Sequence, residues 1–269
     1  MPAHAAPWSA CPPPKLRQIA GLLTDIDDTL TRDGAIEPVA LAALERLSAA
    51  RVPVIAVTGR PMGWSEPFAR AWPVAAIVAE NGAVALFREA GALCVEYAQD
   101  AATRERNALR LREAADAVLR ELPEARLASD SAGRVTDIAI DHSEHAYLAP
   151  PSIERVMTIL RARGMNATVS SIHINAWFGE HDKLSGAHWI VRRLLGRELD
   201  SEAQRWVYVG DSTNDQLMFG HFDLSVGVAN LMRFESELVT WPAYLTAGER
   251  GAGFAEVADA VIAARRAPA

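Results

Sequence analysis

The feature that most constrains this chain is a repeated pattern: a short apolar run that stops at a cluster of polar residues. Ile19 to Leu23 runs through Thr24 into Asp25, Ile26, Asp27 and Asp28 within GLLTDIDDTL. VPVIAV, 52 to 57, stops at Thr58, Gly59 and Arg60, and AAIVAENGA, 75 to 83, stops at a turn at Asn81 and Gly82. RWVYVGDSTND, 205 to 215, passes into Asp211, Asn214 and Asp215. Near-continuous apolar strands are buried on both faces, as in parallel sheets covered by helices. EPVALAALERL, 37 to 47, places Pro38 in a helix first turn and repeats Val39, Ala42, Ala43 and Leu47 at helical spacing. Strand and helix alternation predicts right-handed crossovers and a doubly wound α/β sheet. The strand carboxyl ends of such a sheet share one edge, so the polar clusters converge there.

The texture changes in mid-chain. Residues 101–122 read as a long amphipathic helix, and RVTDIAID, 134 to 141, alternates like a strand with one wet face. Ile153, Val156, Met157 and Leu160 mark a further helix closed by Gly164, and ATVSSIHINAW, 167 to 177, alternates again. Half-exposed strands of this kind predict a smaller α+β module, roughly 99–180, inserted into the first sheet. A last helix carries Phe254, Val257, Ala258, Val261 and Ile262 on one stripe. The prolines and alanines of residues 1–18 suggest a loose arm.

Several carboxylates at one buried edge repel unless something neutralises them. Asp25 and Asp27 start on one side of an extended chain, and with Asp211 and Asp215 they make an oxygen-rich pocket suited to a hard cation such as Mg²⁺. Asp28 and Asp215 also read as helix N-caps. Thr58 with free backbone N–H groups can hold a phosphate oxygen, although Thr before Gly is common in turns. Lys183 opens a helix, an unfavourable place for a cation unless an anion is near; the alternative is a surface pair with Asp182. Arg60 either contacts substrate or pairs with Glu80. Ser171, His173 and Asn175 alternate onto one strand face that suits sugar hydroxyls, with Asp137 and Asp141 as neighbours; the alternative is a solvated face.

Composition adds limits. The 269 residues are half hydrophobic with formal net charge −7, which argues against bulk nucleic-acid binding. No apolar run suggests a transmembrane helix, and the N-terminus does not read as a signal peptide. Cys11 and Cys94 have no metal spacing, which fits free thiols and a cytoplasmic location.

DIDDTL, VTGR, a lysine and GDSTND resemble, in order and strand context, the four motifs of the haloacid-dehalogenase superfamily of phosphotransferases. The resemblance covers residues 21–264. It implies a Rossmann-like core of residues 19–98 and 181–269 and an α+β cap at 99–180, as in the Cof-type branch. DDTL together with ENGA, 80 to 83, is similar to the sucrose-, trehalose- and mannosyl-phosphoglycerate phosphatases and to phosphomannomutase. The resemblance implies that Asp25 is the nucleophile, that Asp27 is the acid and base, and that Thr58 and Lys183 hold the phosphoryl group. Asp25, the Asp27 carbonyl and Asp211 would bind Mg²⁺, with Asn214 and Asp215 as ligands or support. Gly59, Arg60, Asn81, Ser171, His173 and Asn175 are the substrate-side candidates. An acid at Asp27 separates phosphotransferases from dehalogenases. The expected reaction is hydrolysis of a small phosphate ester by a monomer or weak homodimer. A phosphosugar mutase and a non-catalytic binding module are the alternatives.

Overall fold

The computed structural model describes residues 5–266. A nine-stranded sheet runs in the spatial order Ala6–Pro7, Tyr244–Leu245, Leu224–Gly227, Trp206–Gly210, Gly21–Thr24, Val54–Val57, Ala76–Ala79, Val84–Glu89, Ala92–Tyr97. All neighbours are parallel as far as Ala76–Ala79, and the last two strands fold back antiparallel. The central strands are buried at every position, which is why they read as unbroken apolar runs. Helices Pro38–Ala49, Met62–Ala71 and Arg250–Arg266 cover one face, and Lys183–Leu195 with Gln216–His221 the other. Strand Gly21–Thr24 has Val54–Val57 on one side and Trp206–Gly210 on the other, so strand order reverses at its carboxyl end, beside Asp25.

A second sheet, antiparallel, runs Asn166–Val169, His173–Trp177, Asp137–Asp141, Arg126–Leu127. Helices Ala101–Glu121 and Pro150–Arg161 pack on one face of it, around Leu111, Val118, Ile140, Val156, Leu160 and Ile174.

Three expectations change. The stretch 167–177 is two strands, because Ser170 Oγ accepts the His173 N–H at 3.0 Å and closes a hairpin turn at 170–172. The polar face expected to be wet is buried: Asp137, Asp141, His173 and Asn175 are each at most 3 % exposed. That face lies against the carboxyl edge of the large sheet, which replaces water. Finally, residues 5–18 are no loose arm. Ala6–Pro7 pairs with Tyr244–Leu245, Trp8 packs edge-on against Tyr244, and Pro13 starts a short helix that buries Leu16. Residues 1–4 of the expected arm lie outside the described residues.

Candidate active site

Asp25, Asp211 and Asp215 meet at the reversal point, with carboxylate oxygens within 4.8 Å of one another. Lys183 Nζ lies between two of them, 2.8 Å from Asp25 Oδ1 and 2.7 Å from Asp215 Oδ1. Lys183 therefore does not pair with Asp182, whose carboxylate caps the Lys183 helix by accepting the Ser185 N–H. Gly82 and Gly186 set the close approach that brings this helix in. A side chain on Gly82 would reach to 2.0 Å of the Asp182 carbonyl oxygen, and its φ of +105° already favours glycine. Burial disfavours the ammonium, but Asp215 and Asp25 outweigh it and raise the Lys183 pKa. Burial pushes Asp25 up to about 7 against the pull of Lys183, with Asp215 and Asp27 adding to the rise. Burial, then Asp25 and Asp215, drive Asp211 well above the carboxylate range.

The cluster is thus three buried carboxylates against one ammonium, with Arg233 3.5 Å from Asp211 as the next cation. Asp211 Oδ2 accepts from Asn230 at 3.2 Å, while Oδ1 is buried without a hydrogen-bond partner. An orphaned acceptor among converging oxygens fits a hard divalent cation. Asp215 is saturated instead: Oδ1 accepts from Lys183 and the Tyr208 hydroxyl, and Oδ2 from the Asp211 and Ser212 N–H groups. It also forms a capping box with Ser212, so its role is to hold Lys183 and the 211–212 backbone in place.

Asp27 faces the second sheet. Arg60 Nε contacts both of its oxygens, at 2.9 and 3.0 Å, and extends NH1 to Asp130 and NH2 to Glu144. Arg60 thus crosses from the core to the inserted module and does not pair with Glu80. Burial raises the Asp27 pKa, while Arg60 opposes that rise. His173 Nε2 lies 2.9 Å from Glu144 Oε2, a contact that needs the Nε2–H tautomer. Burial works against the Glu144 anion, yet His173 and Arg60 hold its pKa down at about 2. Asp141 positions this loop by accepting the N–H groups of Glu144, His145 and Ala146.

A second clasp lies beside the first. Glu80 accepts the Met62, Val135 and Thr136 N–H groups, and Arg134 donates to the Gly59 carbonyl and to Asp137. Asn175 also reaches the Gly59 carbonyl, at 3.2 Å. Next to Asp27 opens a cavity of about 380 Å³, whose wall includes Arg60, Ser143, Glu144, Ser171, Arg233 and Arg250. Asp28 takes φ +53° there, held by Arg250 at 2.7 Å and Arg233 at 3.2 Å; it caps no helix. Asp tolerates this left-handed conformation better than most residues.

Residues 22–105 match the haloacid dehalogenase-like hydrolase family. That match covers the first strands and helices of the large sheet, including Asp25, Asp27 and Thr58. The fold resembles that of a Thermoplasma acidophilum protein, with TM-score 0.68 at 16% identity, covering 90% of this chain and 98% of that one. It is also similar to the sucrose-phosphatase of Synechocystis sp. PCC6803, solved with sucrose and phosphate (TM-score 0.65, 16% identity, 91% and 98% covered). The C-terminal domain of the C. albicans trehalose-6-phosphate phosphatase gives TM-score 0.65 at 16% identity, with 96% and 99% covered. No curated protein sequence gives a significant match.

Of the residues expected at the site, Asp25, Lys183, Asp211 and Asp215 converge. Thr58 is buried at the end of its strand, with its hydroxyl oxygen accepting the Arg60 N–H at 3.0 Å. Asn81 is buried and points to Asp137 at 3.5 Å. Asn214 accepts from Ser212 and lines a separate cavity of about 310 Å³ with Lys183 and Asn81. Ser171 sits in the hairpin turn, off the strand face that carries His173 and Asn175. Sequence reasoning missed Asn230, Asp130, Arg134 and Glu144. Asn230 follows strand Leu224–Gly227 at the same sheet edge, so the rule that picked out Asp211 would have found it. Glu144 sits in a loop with no periodicity to flag it.

Proposed function

We propose that this protein is a Mg²⁺-dependent phosphatase of a small, highly polar phosphate ester, best read as a sugar phosphate. The observation that carries the reading is Asp25: a buried carboxylate held by Lys183 beside the orphaned oxygen of Asp211, at the sheet's reversal point. Asp25, Asp211 and the Asp27 backbone carbonyl would hold the metal, with Asp215 in support. Bound there, a divalent cation would neutralise charge on the carboxylates and the phosphoryl oxygens.

In this reading the Asp25 carboxylate attacks phosphorus, and the bond to the ester oxygen breaks as Asp27 protonates that oxygen. Water then attacks the phosphoryl group, Asp27 takes its proton, and the bond from phosphorus to Asp25 breaks. The Lys183 ammonium and the Thr58 hydroxyl offset the charge that spreads over the phosphoryl oxygens. Residues 99–180 act as a cap whose buried polar face keeps bulk water from the intermediate. The guanidinium and hydroxyl groups of the 380 Å³ cavity suit a polyhydroxylated leaving group. The sugar-phosphate phosphatases among the similar structures support that class.

The test is phosphate release from a panel of sugar phosphates, nucleotides and para-nitrophenyl phosphate, with Mg²⁺, with a chelator, and with Asp25→Asn. Metal-dependent release abolished by Asp25→Asn is expected. Isomerised sugar phosphate without free phosphate would mean a mutase, and release that survives Asp25→Asn would remove the nucleophile assignment.

A further inference from the structure

A second group of metal-type donors lies outside the site described above. His188 is five residues along the helix that Lys183 opens, Asp200 is on the short helix Leu199–Glu202, and His221 ends the helix Gln216–His221. His188 Nε2 is 3.5 Å from Asp200 Oδ1, and His221 Nε2 is 3.7 Å from the same oxygen. The two imidazole centroids are 5.3 Å apart, and one donor atom from each residue falls within 4.8 Å of the others.

These distances separate two readings. A histidine–carboxylate hydrogen bond closes to about 2.7–3.2 Å, and neither contact does. A tetrahedral cation with bonds of about 2.0–2.1 Å to nitrogen and oxygen spaces its donors about 3.3–3.4 Å apart, close to the two histidine–aspartate distances. His221 Nε2 supplies an independent observation: the atom is buried and has no hydrogen-bond partner. Among the neighbouring charges, Arg192 and Glu198 pair with each other.

We propose that His188, Asp200 and His221 bind a late first-row divalent cation, Zn²⁺ in the first instance, with water as the fourth ligand. Two imidazoles and one carboxylate suit Zn²⁺, whereas Mg²⁺ demands oxygen donors. The site joins three helices. One of them begins at Lys183 and another directly follows Asp215, so the cation fastens together the two helices that position the Lys183–Asp215 contact. This proposal does not rest on the phosphatase reading.

The metal-free protein is titrated with Zn²⁺ in excess Mg²⁺ by calorimetry and thermal unfolding, and with Co²⁺ by visible absorption. One equivalent is expected to bind saturably, to raise Tm, and to give the strong Co²⁺ bands of four-coordinate geometry. His188→Asn and His221→Asn are each expected to weaken binding at least as much as the about 10–100-fold that follows loss of an outer partner. Without added Zn²⁺, both are expected to keep the activity of the unsubstituted protein. Asp200→Asn, at an exposed position, gives the same readout if a histidine variant fails to fold. Asp211→Asn is expected to leave Zn²⁺ binding intact. Unsaturable binding, binding that survives all three substitutions, or binding lost in Asp211→Asn would overturn the site.

Discussion

The two halves of the candidate active site are both crowded with buried charge, and they balance it differently. At the core edge one lysine serves two of the three carboxylates, and Asp211 Oδ1 is left without a donor. On the cap side Arg60 and Arg134 face Asp27, Asp130, Glu144 and Asp137, and each of these acids receives a donor. The core edge is short of positive charge, which is what the proposed uptake of a cation and a phosphoryl group requires. The cap side is nearly saturated within the protein, so it is built to close. Chemistry should therefore depend on the first cluster and on Asp27, and closure and substrate capture on the other charges of the second.

The sharpest way to break that contrast is at Asp25. Asp25→Asn is expected to lower turnover at least about 10³-fold with the fold intact, as loss of a nucleophile does. Phosphate release beside a circular dichroism spectrum checks it. No single substitution at Arg60, Asp130, Arg134, Asp137 or Glu144 should approach that loss, and one of these variants equally dead would erase the division of labour.

Lys183→Met tests the charge shortage directly. It leaves Asp25 and Asp215 buried without their cation, which is expected to cost about 3–5 kcal/mol of stability. Urea denaturation of the metal-free protein measures it. Added Mg²⁺ should recover part of the loss, because a bound cation replaces the missing charge. An unchanged midpoint would mean that the carboxylates do not stay ionised around Lys183.

The same contrast explains what could be read in advance. Asp25, Thr58 and Asp211 follow apolar strands, and parallel-sheet topology brings strand ends together whatever their separation in sequence. Lys183 was legible as a cation at a helix start that needed an anion. Glu144 and Asp130 belong to the cap's irregular connections, and their partner Arg60 is 70 or more positions away. No local period encodes such a contact; it exists only once the cap lies on the core. The same burial turned the strand face of His173 and Asn175 from an expected wet surface into a dry one. Residues 5–18 were misread for a related reason, since their prolines were weighed without the groove that receives Trp8 and Leu16.

Glu144→Gln probes the closing half. The neutral amide keeps the shape but loses the charge that Arg60 and His173 grip. We expect about a tenfold fall in kcat/KM, carried mainly by KM, which corresponds to about 1.4 kcal/mol of closure. Because Glu144 titrates at about 2, the loss should not vary across the neutral range. A fall in kcat alone, with KM unchanged, would place Glu144 in the chemical step instead.

The last test concerns Asp137, where the cap side departs from full balance. Burial lifts its pKa to about 7 from an ordinary 3.8, although Arg134 pulls the other way. The folded state therefore holds a proton between about pH 4 and 7 that the unfolded chain has released. Stability from this group is largest near pH 4 and falls as pH rises toward 7, with a slope up to about 1.4 kcal/mol per unit. Asp137→Asn removes the titrating proton but keeps an acceptor for Arg134. Its stability should be flatter than that of the unsubstituted protein over this window, measured by urea denaturation at stepped pH. Parallel curves would show that Arg134 and Asn175 keep Asp137 ionised throughout, and the cap side would then be balanced as completely as its hydrogen bonds are.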